Sequence, residues 1–449
     1  MKILGIETSC DETAAAVVED GVRLCSNVVS SQMLDFAAYG GVIPEIAARS
    51  HIEIMLPVVQ KALNDAGCTW DDIDGIGVTY APGLVGSLLI GTLTARTLAH
   101  MKHKPLYPVH HVEGHVYANF LTKIADSSEL IADSSYKTTT TASAEVVSEE
   151  DVAVSASQAP RAGEDTRKAA SEKTISSLAG LELPKIEPKF PLLALIVSGG
   201  HTQLALFHGH GNYVLLGQAQ DDAVGEAFDK VAKIIGLPYP GGISISNLAP
   251  SGNAHAFEFP KAKLPCPPGC THEVNKPVGA DHLAKDVIRG GRGEVFARTR
   301  CHKYDFSFSG LKTAVLRTVQ KECGVDHTFP SHQLPERVSD SLRADIAASF
   351  QRVAVETLVE KTVLAARDYS PASVVIAGGV AANAELRRQL SEALPTPIEY
   401  APISLCTDNA AMIASLAYYM AQAVEPSDPL DVEVVPSLSM TKTAWSPLV

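Results

Sequence analysis

Between Lys2 and Ser30 the apolar residues fall in three short runs, Lys2–Thr8, Thr13–Val18 and Arg23–Ser30, divided by the polar turn Ser9–Glu12 and by Asp20-Gly21. Runs of that length bounded by turn residues read as strands, and their spacing predicts a β-meander. The period then changes. From Pro44 to Ala66, Ile46, Ala47, Ile54, Val58, Val59 and Leu63 recur at helical spacing, with Pro44 suited to a first turn, Gly67 to a C-cap and Pro57 to a kink. Ile73–Tyr80 returns to a strand, Ala81-Pro82-Gly83 to a turn, and Leu84–Met101 to a mostly apolar helix in which Gly86, Ser87 and Gly91 permit close packing. Leu106–Val109 is the next strand, and a histidine-bearing helix begins at its end, the place where open α/β sheets put their ligands.

Residues 122–190 interrupt this order. Ser, Thr, Ala, Glu and Lys dominate, no period is sustained, and the run Thr138-Thr139-Thr140-Thr141 marks a segment expected to be a disordered insertion, with a mobile interaction arm as the alternative. Regular patterning resumes with the strand Leu192–Val197, the tight turn Ser198-Gly199-Gly200, the returning strand His201–Phe207 and the helix Asp222–Ile235. Near the end come the strand Ser373–Ala377, the turn Gly378-Gly379, an amphipathic helix Ala382–Leu394 with Arg387 and Arg388 on its wet side, and a last helix to about Ala421 capped by Thr407-Asp408. Strands alternating with helices over 449 residues predict an α/β protein with more than one core.

Composition narrows the class. A hydrophobic fraction of 46% without a long apolar span suits a protein that neither crosses nor coats a membrane. The N-terminus enters directly into a strand pattern, with neither a secretory leader nor an Arg-rich presequence, and eight irregularly spaced cysteines fit a reducing compartment, so a cytoplasmic protein is expected. A formal charge of −14 argues against indiscriminate nucleic-acid binding, although a local basic patch can still hold an RNA.

Candidate chemistry lies in three places. In Val109-His110-His111-Val112-Glu113-Gly114-His115, His111 and His115 stand four apart and project from one helix face, where they can chelate one ion. A zincin protease carries its general-base Glu directly after the first His, whereas Glu113 comes two places on and faces elsewhere. The hairpins Leu4–Thr13 and Leu195–Leu204 are each strand, small polar turn, strand, and two such turns facing across a cleft offer N–H groups and hydroxyls to phosphates. The third glycine turn, Ala377–Val380, is placed to hold the adenosine side of a nucleotide. Finally, Cys266, Cys270, His272, Cys301 and His302 are candidate zinc ligands at non-standard spacing, and Arg289, Arg292, Arg298, Arg300 and Lys303 make the same stretch basic enough to touch nucleic-acid phosphates, with reduced cysteines and a solvated loop as the plainer alternatives.

The blocks GIETSCDET (5–13), YAPGLVGSLLIG (80–91), VHHVEGH (109–115), VSGGHTQL (197–204), GEAFDKVAKIIGLPYPGG (225–242), DFSFSGLKTA (305–314), AGGVAAN (377–383) and CTDNAAMIA (406–414) closely resemble the bacterial-type TsaD family, formerly described as glycoproteases. The resemblance spans about three quarters of the chain and omits 122–190, 262–303 and the last two dozen residues. It implies a two-lobed actin/Hsp70/sugar-kinase-like (ASKHA) fold, with duplicated RNase H-like domains around a nucleotide cleft. On that basis the lobes fall at 1–121 and 191–404, with 262–303 an inserted loop and 405–449 a helix returning to the first lobe plus a tail.

The same resemblance implies transfer of threonylcarbamoyl from threonylcarbamoyl-AMP to N6 of the adenosine beside the anticodon of ANN-decoding tRNAs. It implies one divalent metal, iron or zinc, on His111, His115 and Asp408, and an ATP- or AMP-type nucleotide against Ile196, Val197, Ser198, Gly199 and Gly200, with Asp229, Gly242 and Asn383 around sugar and base. Asp11 is the candidate base or substrate-orienting residue and Glu12 the second, although turns favour such acids in any case. Expected partners are tRNA and either a TsaB-like paralogue with a TsaE-like ATPase or a second copy; a eukaryotic source would make the compartment mitochondrial. Competing functions are a metallopeptidase, a kinase or ATPase of the same fold, and a non-catalytic nucleotide-binding scaffold.

Overall fold

The computed structural model describes residues 1–32, 36, 41–125, 174–175, 178, 181–264, 288–289, 295–296, 302–396, 398 and 400–440. The first lobe opens with strands β1 (Lys2–Glu7), β2 (Glu12–Glu19) and β3 (Arg23–Ser31), helix α1 (Pro44–Asp65), strand β4 (Gly75–Ala81), helix α2 (Val85–Lys102), strand β5 (Leu106–His110) and helix α3 (His111–Tyr117). Two short strands, β6 (Lys123–Ile124) and β7 (Thr174–Ile175), pair with β3, so the order across the sheet is β5-β4-β1-β2-β3-β6. The meander is antiparallel, while β1 and β4 run parallel.

A second lobe repeats this plan. Strands β8 (Leu192–Val197), β9 (Thr202–Gly209) and β10 (Asn212–Gln218) are followed by helices α4 (Val224–Ile235) and α5 (Gly241–Leu248), a detached pair β11 (Ile288–Arg289) and β12 (Val295–Phe296), and helices α6 (Ser309–Glu322) and α7 (Asp340–Tyr369). Strand β13 (Ser373–Ala377), helix α8 (Ala384–Ala393) and the single turn α9 (Ile403–Cys406) complete it, and helix α10 (Ala410–Ala421) returns to pack on the first sheet. The sheet order β10-β9-β8-β13 matches β3-β2-β1-β4, with β13 parallel to β8 as β4 is to β1.

Both faces of the first sheet are covered, which is why its strands read as nearly continuous apolar runs. Along β1, Leu4 and Ile6 join Met55, Val58 and Leu63 of α1 in one core, while Ile3 packs in the other core with Ile413 and Ala417 of α10. Alternation therefore aims Gly5 and Glu7 at the α10 side. A Cβ on Gly5 would stand 2.2 Å from the Ala410 carbonyl oxygen and 2.8 Å from the Ala414 nitrogen, so only glycine lets strand and helix meet there. Past α10 the chain crosses back over the first lobe, where Ser427 N–H donates to Leu106 O (2.9 Å) and Val435 N–H to Tyr80 O (3.0 Å).

The predicted strands and helices of the first lobe recur within two residues of their expected bounds, and Gly67, just past α1, takes φ 61°. Two expectations change. Asn409, not Thr407-Asp408, caps α10: its side chain accepts from Met412 N–H at 3.1 Å, which frees the Asp408 carboxylate. The segment expected to be disordered is ordered at its ends, where β6 and β7 pair with the β3 edge and Leu181, Leu183 and Phe190 pack on the core; residues 126–173 lie outside the described residues. Cys266, Cys270, His272, Cys301, Arg292, Arg298 and Arg300 also lie outside them, whereas Lys303 is paired with Asp368 (2.7 Å) and His302 with Asp305 (2.7 Å). Those carboxylates occupy the lysine and the histidine that the tRNA and zinc expectations invoked. Among the described residues no helix is long and apolar enough to cross a membrane.

Candidate metal and nucleotide site

Strand β5 delivers the chain to the sheet's edge, and α3 begins there with its histidines facing α10 rather than solvent. His111, His115 and Asp408 come together from positions almost 300 residues apart, with ligand atoms within 4.8 Å of one another. Asp408 Oδ1 lies 3.6 Å from His111 Nε2 and 3.3 Å from His115 Nε2. Tetrahedral ligands at bond lengths of about 2.0–2.1 Å sit about 3.4 Å apart, so the spacing of each histidine from Asp408 suits a first-row divalent ion. His115 Nε2 is buried and makes no hydrogen bond, the state of an atom that awaits a metal. The Asp408 side chain keeps 21% of its surface exposed, so one side of the triad is open for a substrate oxygen.

Behind the triad stands a residue that the sequence did not single out. Glu7, fully buried, lies 3.2 Å from His111 Nδ1 through Oε2, takes the Thr79 hydroxyl on the same oxygen, and accepts Ser9 N–H on Oε1 at 2.5 Å. Burial alone pushes Glu7 up, but the His111 charge and hydrogen bond outweigh it and hold the carboxyl below its usual range. Burial likewise disfavours a charged His111, yet Asp408 and Glu7 raise it to about 9. His110, next in the chain, turns away and hydrogen-bonds the Leu438 carbonyl at 3.1 Å. Glu113 is buried against Tyr80 and Tyr117, whose phenols it helps push up, and so points away from the ligands.

The acids of the first turn face the second lobe. Asp11 and Glu12 hydrogen-bond each other; burial raises both, Glu12 well above the usual range with Asp11 next in effect, so Glu12 holds the shared proton and Asp11 is left as the acceptor. Tyr239 is pushed up first by burial and then by the charges of Asp11 on the first lobe and Asp229 on the second. Opposite, the turn at the end of β8 is held by Ser198 N–H donating to His201 O (2.8 Å) and His201 N–H to Ser198 Oγ (3.1 Å). Gly199 and Gly200 face open space. His201, lowered to about 3 by burial and by His111 and His115, brings this turn beside the ligand triad.

The remaining expected residues are placed less simply. Ile196 and Val197 bury their side chains in the core, leaving only their backbone for a ligand. The Asp229 carboxylate already accepts Gly241 N–H at 2.7 Å, at the start of α5. Asn383 caps α8 through Leu386 N–H (2.9 Å) and donates to Ser246 (2.8 Å) and Gln351 (3.0 Å). These last three line a cavity of about 590 Å³ on the second lobe, apart from the metal ligands.

Two buried histidines and one carboxylate beside a glycine turn do not by themselves name a reaction; comparison with known proteins does. The family model described as TsaD: tRNA N6-adenosine threonylcarbamoyltransferase matches residues 23–157 and 173–415. The chain belongs to this family. It is 43% identical over 441 residues to the tRNA N6-adenosine threonylcarbamoyltransferase of Thermomicrobium roseum, covering 97% of this chain and 95% of that one. It is 42% identical to that of Symbiobacterium thermophilum, covering 98% and 96%. The match thus extends beyond the motif blocks, into the two internal stretches the resemblance left out. Solved structures it is similar to include component A of the Acidaminococcus fermentans (R)-2-hydroxyglutaryl-CoA dehydratase, at 13% identity and TM-score 0.39 (94% and 99% covered), and YeaZ from Pseudomonas aeruginosa, at 22% and 0.19 (26% and 46%). TsaD membership carries tRNA threonylcarbamoyltransferase activity, a divalent metal and a bound nucleotide.

Proposed function

We propose that this TsaD protein takes its acyl group from threonylcarbamoyl-AMP and delivers it to the adenosine beside the anticodon of ANN-decoding tRNAs, with His111, His115 and Asp408 as the metal set. The convergence of those three side chains at ligand spacing carries the proposal. The exocyclic amine of adenine attacks the carbamoyl carbon, the new N–C bond forms as the C–O bond to AMP breaks, and the amine proton passes to Asp11. Glu12, hydrogen-bonded to Asp11, steadies it. Backbone N–H groups of Ser198, Gly199 and Gly200 receive the leaving phosphate, with the main chain of Ile196 and Val197 behind them, while Asp229, Gly242 and Asn383 flank ribose and base. When bound, the ion polarises the acyl oxygen; a two-histidine, one-carboxylate set suits Fe2+ first and accommodates Zn2+.

The corresponding division of the chain is a first lobe over 1–121, a second over 191–404 and a returning segment over 405–449. For the protein partner, a TsaB-like paralogue is favoured by an apolar face on α1 and α2, where Ile52 (62%), Leu56 (62%), Val85 (60%) and Leu93 (44%) stay exposed. A TsaE-like ATPase joins that pair, and the assembly works in the cytoplasm. The test is incubation with tRNA and threonylcarbamoyl-AMP, with and without the two partners, followed by mass spectrometry of the nucleosides. Threonylcarbamoyladenosine with matching AMP release is expected; unmodified adenosine under every condition would refute the proposed donor.

A further inference from the structure

We propose that Glu7 is a positioning residue for the metal centre, fixing the tautomer and the heading of His111 so that Nε2 is the atom offered to the ion. The inference rests on the metal set proposed above. An imidazole presents two nitrogens, and which one binds a metal is decided by what the other is bonded to. His111 Nδ1 has two neighbours, Glu7 Oε2 at 3.2 Å and Ser9 Oγ at 3.1 Å. A hydroxyl can donate or accept and leaves the tautomer open, whereas an ionised carboxylate only accepts and requires a proton on Nδ1. In the neutral ring that a metal ion requires, the lone pair is then on Nε2, the nitrogen that faces Asp408, 3.6 Å away, and the space shared with His115.

The carboxylate is itself held from two sides. Thr79 of β4 donates to Oε2 and Ser9 N–H to Oε1, so the group cannot turn away from His111 without losing a bond inside the protein. His115 has no such support: its Nδ1 is buried with no hydrogen-bond partner. The centre is thus asymmetric, with His111 oriented in advance and His115 oriented by the ion.

The experiment uses the full chain and zinc or cobalt as the probe. Competition titration should show wild type binding one ion, Asp408→Ala binding none, Glu7→Gln binding one ion about 10–100-fold more weakly, and Ser9→Ala staying within about threefold of wild type. In zinc-loaded wild type, nitrogen NMR of labelled histidine should report a protonated Nδ1 and a coordinated Nε2 on His111. If wild type binds no ion, or Asp408→Ala binds as well as wild type, the metal set fails. If those results hold while Glu7→Gln binds as tightly as wild type, or His111 coordinates through Nδ1, the role of Glu7 is overturned. Should Glu7→Gln not fold, Thr79→Val carries the same test: an affinity loss with an altered cobalt spectrum supports the role, and an unchanged affinity refutes it.

Discussion

The two lobes meet the cleft with the same piece of architecture, a turn between antiparallel strands, and fill it with opposite chemistry. Between β1 and β2 the turn is built of side chains: Glu7, Ser9, Asp11 and Glu12 are tied to His111 or to each other. Between β8 and β9 it is mostly main chain, with Gly199 and Gly200 opening on empty space. A buried carboxylate needs fixed partners and tolerates little change, whereas a bare turn binds through groups that every residue has and asks only for room. On the function proposed above, the shared frame gives metal and proton handling to one lobe and phosphate handling to the other.

That division of labour is open to attack at graded strength. The severest test strips the side-chain half: His111→Ala should remove the stoichiometric metal and with it the modification of tRNA, read by metal analysis beside nucleoside mass spectrometry, while the melting curve stays cooperative. Asp11→Asn should keep the metal and lower kcat by about 10²–10⁴-fold. Because burial and Asp408 raise Asp11, its base form is gained as pH rises, so the acid limb of the rate profile should lie above the ordinary value of about 4 and be lost in Asp11→Asn. Across the same window the folded chain keeps a proton that the unfolded chain has released, so stability falls as pH rises. A melting temperature of wild type that climbs there relative to Asp11→Asn would contradict the assignment.

The main-chain half should respond differently. A Cβ at Gly200 meets nothing within 4 Å, so Gly200→Val should fold normally yet bind nucleotide roughly 10–100-fold more weakly, as expected for one or two charge-assisted hydrogen bonds. Calorimetry showing full affinity would remove the turn from the phosphate site. The mildest test lies between the halves: Asn409→Ala should cost about 1 kcal/mol through the lost cap, and it asks whether Asp408 keeps its place when its neighbour no longer anchors α10.

How much of this was legible in the sequence depended on how local its cause was. Strands β1 to β5 and the helices among them announce themselves because each carries its period and its turn residues within a few positions. Helix α7 has no single apolar stripe, since Ala344, Ile346, Ala347, Ala348, Phe350, Val353, Ala354 and Leu358 are buried around its circumference, and no element was assigned there. The chelating pair was visible at i and i+4, and its third ligand came only through family resemblance. Glu7 is hidden in the sequence because, apart from the backbone N–H of Ser9, its partners are distant: His111, 104 residues on, and Thr79, 72 residues on. The cap of α10 was misplaced by one residue, and that one residue separates a structural carboxylate from a ligand.

The missing methyl at Gly5 gives the centre a fixed gauge. Glu7 lies two residues beyond that contact and Asp408 two residues before Ala410, so their separation is set where strand and helix touch main chain to main chain. Ordinary van der Waals distance would require an alanine there to push α10 back by about 1 Å, which is a large fraction of a metal–ligand bond. Side chains elsewhere in the core can repack around a substitution; this dimension has nothing to repack, so the span available to the ion is written in backbone.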